Sequence, residues 1–150
     1  MKKFNFRLEP ILKLRKQQED QKKRAVGDLL AEINALQRQA LEMADAIRRQ
    51  DRALRQNVRG TVDINWIAYY QGYVTHLRQS ISQKIDEVAQ IQKKLVQARH
   101  ELTEAARQTK ILEKLKEKRK QRYEKELRRR EIGELDEIAA QQCHPARSSA

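Results

Sequence analysis

Apolar residues recur at alternating steps of three and four along most of this chain, in two separate stripes. This spacing keeps one narrow apolar seam on one side of a helix, as a coiled coil requires. After the second stripe ends at Leu112, helix-forming sequence continues to about residue 140. The stripes therefore predict two paired helices of unequal length. They run from Leu8 to Leu54, including Ile33, Leu36, Ala40, Met43 and Ile47, and from Ile67 to Leu112 through Tyr70, Val74, Leu77, Ile81, Val88, Ile91, Leu95, Ala98, Leu102 and Ala105.

The composition favours long helices over a globular core. Charged residues make up 36% of the chain, and its two prolines, Pro10 and Pro145, lie near the ends, so no proline interrupts the stripes. A charged, proline-poor sequence with a period near 3.5 residues is typical of coiled coils. We therefore predict an all-α fold, in which two long helices form an antiparallel coiled-coil hairpin. The whole chain, residues 1–150, is expected to be a single elongated domain.

The helix boundaries follow from one break between the stripes. Helix 1 is predicted over about 5–57, a turn over 58–63 and helix 2 over about 64–140, with a disordered tail at 141–150. The first helix opens either at Asn5 or in the segment Leu8-Glu9-Pro10, since proline is tolerated in a first turn. Gly60 is expected to take a positive φ that ends the first helix, and Asp63 to cap the second.

Folding the two helices antiparallel about this turn predicts which residues face each other. Leu54 then lies opposite Ile67, and Leu8 lies opposite about Glu113. The second stripe stops at Leu112, where its partner helix runs out. Helix 2 is therefore expected to overhang its partner at the open end of the hairpin, away from the turn.

The net charge of +12 is concentrated in two segments. Residues 1–30 carry nine basic and four acidic residues, and residues 113–131 carry ten basic and five acidic residues. In the hairpin both segments lie at the open end, where they would attract an acidic protein surface or a polyanion. A solvated helix with i,i+4 ion pairs is the alternative. Nucleic acid is the least favoured partner, because the basic run follows the heptads instead of preceding them.

Three apolar residues, Ile132, Leu135 and Ile138, follow the basic run at three-residue steps. They form a small apolar edge on the overhang, which has no partner in the hairpin. Such an edge is typical of a helix that docks on another protein.

Four of the seven aromatic residues fall within eight positions: Trp66, Tyr69, Tyr70 and Tyr73. Tyr70 occupies a seam position, whereas Trp66 and Tyr73 are seven apart and flank the seam on one edge. They either lean over the seam and thicken it or form an exposed recognition patch.

The residues give no support for catalysis. His76, His100 and His144 are scattered, and no phosphate loop, nucleophile motif or carboxylate pair accompanies them. We predict that the protein is not an enzyme and has no catalytic residue, cofactor, metal ion or small-molecule substrate. Cys143 is the single cysteine and excludes an intramolecular disulfide. No apolar run approaches the ~20 residues of a membrane span, so a cytoplasmic protein is expected.

Three segments resemble the FliJ family, the coiled-coil component of the flagellar protein export apparatus. The resemblance covers nearly the whole chain in order. It is carried by Phe4-x-Phe6-Arg7-Leu8-Glu9-Pro10-x-Leu12-x-x-Arg15, by Trp66-Ile67-x-Tyr69-x-Gln71-x-Tyr73-x-x-x-Leu77, and by the run from Arg119-Lys120-Gln121 to Leu135-Asp136-Glu137-Ile138-Ala139.

The resemblance implies a stalk-like coiled coil, peripherally associated with the cytoplasmic face of the membrane at the flagellar base. Its implied partners are the hexameric flagellar export ATPase, whose ring receives the open end, the cytoplasmic domain of the membrane export gate, and export chaperones. The equivalent stalk of a virulence type III secretion system and a basic coiled coil that binds nucleic acid are the alternatives. The implied ATPase contacts are Arg7, Leu8, Arg15, Arg119, Lys120, Arg128, Arg129, Leu135, Asp136 and Glu137, and the implied gate contacts are Trp66, Tyr73 and Leu77.

Overall fold

The computed structural model describes residues 3–58, 60–61 and 63–143. These residues form two helices, α1 (Glu9–Asn57) and α2 (Ile64–Cys143), and no strand. The prediction of an all-α fold with two long helices packed together is confirmed. The chain divides into unit 1, Met1–Gln18 with Ala105–Ala150, and unit 2, Glu19–Glu104. Residues 141–143 of the predicted tail are helical, and the rest of that tail lies outside the described residues.

α1 begins at Glu9, in the second of the two predicted openings, and Pro10 explains why it does not begin at Asn5. A helix that started earlier would press the Pro10 ring against the carbonyl of Phe6, and Pro10 has no N–H to donate to it. Instead the Glu9 N–H donates to the Phe6 carbonyl at 3.0 Å, in a turn that precedes the helix. The segment before Glu9 therefore leaves the helical path at this turn.

α1 ends at Asn57, as predicted, but the way in which it ends differs from the prediction. No glycine in the described residues has a positive φ, so the left-handed conformation expected at Gly60 is wrong. The last turn closes with a regular bond from the Val58 N–H to the Leu54 carbonyl, at 3.1 Å. Because Asn57 and Val58 are exposed, water can satisfy the final carbonyls without a left-handed cap.

The start of α2 is as predicted, with Asp63 as its cap. The Asn65 N–H donates to Oδ1 of Asp63 at 2.9 Å, and the Ile67 N–H donates to the Asp63 carbonyl at 3.2 Å. A side-chain oxygen at this position satisfies a donor that the first turn leaves without a partner. Arg59 and Val62, also in the predicted turn, lie outside the described residues.

The core of unit 2 lies on the two stripes. Ile33 and Leu36 of α1 pack with Ile91 and Leu95 of α2, and all four side chains are buried. Each such burial contributes about 2 kcal/mol. Every residue assigned to a stripe is buried or half-buried, so the predicted seam is confirmed within each unit. Val26, Leu29 and Val88 pack against this core.

The deepest burial in unit 1 lies next to the N-terminal segment. Leu12 and Phe6 are buried, and so is Thr109, whose hydroxyl donates to the Ala105 carbonyl at 3.1 Å. That local bond satisfies the only buried polar side chain found among the described residues. Unit 1 therefore has an apolar anchor of its own, which includes a residue outside α1.

The pairing in unit 1 differs from the prediction that Leu8 faces Glu113. Lys16 pairs with Glu113 at 3.1 Å, and Glu9 pairs with Lys116 at 2.7 Å. Helical side chains lean toward the N-terminus of their own helix. In an antiparallel pair the side chains of the two helices tilt in opposite directions. A contact therefore joins two residues whose Cα atoms are offset along the helix axes, and not two residues whose Cα atoms are directly opposite.

The overhang begins later than predicted. Leu115, Tyr123 and Leu127 are half-buried, so α2 is covered well beyond Leu112. The residues before Glu9 supply part of this cover, since Phe4 contacts Tyr123 and Phe6 contacts Arg119. Every residue from 128 to 143 is exposed, and we call this range the overhang.

Candidate functional site

The N-terminal segment is fastened to α2 by ring contacts, which we call the clamp: Phe4, Phe6, Arg119 and Tyr123. The Phe4 and Tyr123 ring centroids are 5.7 Å apart and tilted by 47°. The Arg119 guanidinium carbon lies 5.7 Å from the centroid of the Phe6 ring. This cation–π distance means that Arg119, an expected ATPase contact, also covers the anchor of its own unit.

Two ion pairs join α1 to α2 beside the clamp, Glu9 with Lys116 and Lys16 with Glu113. The hydrogen bond from Lys116, together with its positive charge, lowers the pKa of Glu9. All four side chains are at least one-third exposed, so solvent screens these pairs. They set the register of unit 1 more than they stabilise it.

The other expected ATPase contacts near the clamp differ in how far they are available. Arg7 is exposed, whereas Leu8 and Arg15 are half-buried, and Nη1 of Arg15 donates to Oε1 of Gln18 at 3.2 Å. Lys120 is exposed and lies 3.9 Å from Glu124. Arg7 and Lys120 therefore present charge to solvent, while Leu8 and Arg15 take part in packing.

The expected contacts on the overhang are all accessible: Arg128, Arg129, Leu135, Asp136 and Glu137. The two arginines make no ion pair within the part of the chain that the structure describes. The apolar edge predicted beyond them is also exposed. Its three-residue steps turn it through about 120° of the helix circumference. Its members are Ile132, Leu135 and Ile138.

Positive charge is concentrated in unit 1. This unit holds 19 of the 33 basic residues and 9 of the 21 acidic residues, a net charge of +10, which leaves +2 for unit 2. The field of unit 1 therefore favours acidic surfaces, whereas unit 2 is close to neutral.

The aromatic residues of unit 2 form two stacked pairs, which we call the aromatic edge. The Trp66 and Tyr70 centroids are 5.9 Å apart with the rings inclined by 19°, and those of Tyr69 and Tyr73 are 6.3 Å apart and inclined by 4°. Tyr69 is exposed, and the other three are half-buried. The two interpretations concern Trp66 and Tyr73, and because both are half-buried, each packs along the seam with part of its ring facing solvent.

Tyr70 also links the two helices through a hydrogen bond. Its hydroxyl donates to Oδ1 of Asp51, and this bond is the main reason that the pKa of Tyr70 is raised. Leu77, expected to contact the gate, is only 9% exposed and belongs to the packing seam. The accessible candidates for a gate contact are therefore Trp66 and Tyr73.

An apolar groove in unit 2 was not anticipated. A depression of about 310 Å³ is lined by Ala40, Ile85 and Ala89 among others, and Ile85 is 60% exposed. Lys84 occupies the seam position beside it, so Ile85 falls outside the stripe. The signal that could have revealed the groove is the apolar i,i+4 pair of Ile85 and Ala89 next to the seam.

The described residues contain neither a metal-binding cluster nor a membrane-spanning stretch. No group of three or more His, Cys, Asp or Glu side chains in residues 3–58, 60–61 and 63–143 could hold a metal ion. Neither helix, over the residues placed in the structure, has a stretch apolar enough to span a bilayer. Cys143 is exposed at the end of α2.

The chain is similar in sequence to a known protein family and in fold to a solved structure. No curated protein matches it significantly. The structure of a putative YscO homolog from Chlamydia trachomatis is similar, with a TM-score of 0.52 and 20% identity over 93% of this chain and 95% of that chain. This identity shows a shared fold alone. The model of the family described as flagellar FliJ protein matches residues 4–148. The chain therefore belongs to the FliJ family of flagellar export proteins.

Proposed function

We propose that this protein is the stalk of the flagellar export apparatus and that unit 1 enters the ring of the hexameric export ATPase. The observation that carries the proposal is the net charge of +10 in unit 1, beside an overhang with every residue exposed. An exposed helix end in a basic unit suits a ring whose lining is acidic. Complementary charges steer the two partners together and fix their orientation.

The contacts in this proposal divide by accessibility. Arg7, Lys120, Arg128 and Arg129 supply exposed charge, and Leu135, the centre of the apolar edge, supplies contact area. Asp136 and Glu137 face solvent on the same helix and would meet basic groups of the ring. Leu8, Arg15 and Arg119 act mainly by holding unit 1 in shape.

The aromatic edge is proposed as the contact with the cytoplasmic domain of the export gate. Trp66 and Tyr73 combine a large apolar area with polar tips, which is typical of residues that dominate protein interfaces. The buried Leu77 would contribute by positioning Tyr73, one helical turn away. The proposal that export chaperones bind this protein rests on family membership alone.

The decisive experiment reverses charges without disturbing the clamp. Lys118, Arg122, Arg128 and Arg129 are exposed and make no ion pair among the described residues, so all four can be changed to Glu. Lys116 and Arg119 stay unchanged, because they hold Glu9 and Phe6. The matched control reverses four exposed basic residues of unit 2: Arg38, Arg49, Lys93 and Arg99.

We expect co-purification with the export ATPase hexamer to be lost in the first variant and kept in the control. A truncation after Ala140 should also keep it, since the apolar edge remains. Retained binding after reversal in unit 1 would contradict the proposal. A nucleic-acid partner would show instead as retarded DNA or RNA at low salt, with log affinity falling linearly with log salt.

A further inference from the structure

The end of unit 2 where α1 gives way to α2 exposes apolar side chains, and we call it the tip: residues 57–58, 60–61 and 63–69. Ile64 is 81% exposed, the highest value for a large hydrophobic residue among those described. Val58 and Tyr69 are exposed as well. Three bulky apolar groups facing solvent at one end need a partner, because scattered exposure is ordinary but a cluster is not.

A depression of about 270 Å³ lies beside Val58 at the tip. It is lined by Asn57, Val58, Thr61, Asp63 and Trp66, so the indole of Trp66 borders it. The tip therefore combines aliphatic groups, an indole and a phenol with uncapped polar backbone at the end of α1.

Four arginines of α1 lie behind this apolar end. Arg48, Arg49, Arg52 and Arg55 fall in the last turns of α1, and all four are exposed. Arg48 pairs with Asp45 at 3.3 Å, whereas the other three make no ion pair with any described residue. The acidic residue among them, Asp51, accepts the Tyr70 hydroxyl. A cationic collar therefore stands directly behind the apolar residues.

We propose that the tip docks on an anionic phospholipid surface. Trp and Tyr rings favour the headgroup region of a bilayer, aliphatic side chains favour the region just below it, and arginines pair with lipid phosphates. The tip presents these groups in that order, with Ile64 and Val58 foremost, Trp66 and Tyr69 next, and the arginine collar behind. No membrane-spanning segment is needed for such docking.

A bilayer fits this surface better than a protein pocket does. The foremost apolar groups, Val58 and Ile64, come from two different helix ends and face solvent, and the arginines of α1 lie behind them. A fluid lipid interface accommodates these groups without a preformed cavity, and the collar matches its negative charge. This inference does not rest on the proposed stalk function, because vesicles free of export proteins test it.

Trp66 makes the test specific, since it is the only tryptophan in the chain. The full chain is titrated with vesicles of equal parts phosphatidylglycerol and phosphatidylcholine, and separately with phosphatidylcholine alone. We expect a blue shift of Trp66 emission on the anionic vesicles and quenching by lipids brominated along the acyl chain. Little change is expected on the neutral vesicles.

The basic unit 1 provides the main competing outcome. Its charge could adsorb the protein to anionic vesicles with the tip left in water, which would give co-sedimentation without a shift of Trp66 emission. That result would overturn the proposal. So would a shift that appears only with the cytoplasmic domain of the export gate and not with vesicles.

Matched variants separate apolar docking from charge. Ile64→Ser should weaken partition into anionic vesicles by about tenfold, since most of one aliphatic side chain no longer enters the lipid. Ile85→Ser is the control, because Ile85 is 60% exposed in the groove of the same unit. Arg52→Glu with Arg55→Glu should also abolish the blue shift of Trp66 emission on anionic vesicles. Equal partition of the Ile64 and Ile85 variants, with unchanged circular dichroism, would refute the role of the tip.

Discussion

The burial of Phe6 predicts that one residue outside both helices stabilises unit 1. Phe6 is 4% exposed, and the Arg119 guanidinium of α2 lies over one face of its ring. Phe6→Ala removes that ring while leaving the Pro10 turn and both helices intact. The variant therefore measures the clamp and little else.

The expected loss follows from area. A buried Phe removes 150–250 Å² from water, and truncation to Ala exposes roughly 130 Å² of it, which is about 3 kcal/mol at 25 cal/mol/Å². The contact with Arg119 adds about 0.5 to 1 kcal/mol. Because the segment before Glu9 has few other anchors, it can undock instead of leaving a cavity. The loss is then limited to the free energy of docking, and we expect about 2 to 3 kcal/mol.

Hydrogen exchange followed by mass spectrometry measures this loss locally. In Phe6→Ala, amides of the first turn of α1, including the Leu12 N–H bonded to Leu8, should exchange roughly 30- to 160-fold faster. Amides near the unit 2 core at Ile33 and Leu36 should not change. Urea unfolding followed by circular dichroism should show the same ordering.

Leu14→Ala is the matched control, because Leu14 lies in the same unit and is 52% exposed. It should cost less than about 0.5 kcal/mol. If Phe6→Ala and Leu14→Ala gave equal exchange rates, the N-terminal segment would not be docked in solution. The later start of the overhang would then lose its basis.

Three further predictions concern pH and the aromatic edge. The pKa values of Glu9 and Glu101 are lowered from 4.5 mainly by hydrogen bonds from Lys116 and Lys22, respectively. The stability that these two carboxylates contribute is therefore present above pH 4.5 and lost as the pH falls below it. Thermal melts from pH 7 to pH 3 should show this loss. The pKa of Tyr70 is raised above 10.0 by Asp51, so its contribution is present below pH 10 and lost as pH rises further, and Tyr70→Phe should abolish that alkaline loss in the same melts. Tyr73→Ala should reduce flagellar export in a secretion assay yet leave helical content unchanged, and a large loss of helicity would assign Tyr73 to the seam.

The helices and their seam could be predicted because both depend on local periodicity. A step of three and four residues places Ile33, Leu36, Ile91 and Leu95 on facing surfaces whatever the rest of the chain does. The cap at Asp63 is local as well, since its side chain reaches an amide only two residues away. These features need no knowledge of tertiary contacts.

The register and the clamp could not be predicted, since they depend on contacts between distant residues. Counting residues outward from the turn assumes that contacting residues lie directly opposite each other. The opposite tilt of the side chains on the two helices instead brings Lys16 to Glu113. The same counting treats residues before Glu9 as helix, although Pro10 prevents that. Phe6 precedes the first stripe, so no periodic pattern identified it as a core residue.

The clamp changes how the basic run of α2 should be interpreted. Lys116 and Arg119 bind Glu9 and Phe6 within unit 1, whereas Lys118 and Arg122 are exposed and make no ion pair among the described residues. The charge of the run is therefore divided between holding the N-terminal segment and facing a partner. Reversing the whole run would unfasten the clamp and remove the partner surface together, so its loss of binding would be ambiguous. Only a reversal confined to Lys118, Arg122, Arg128 and Arg129 tests whether charge itself recruits the partner.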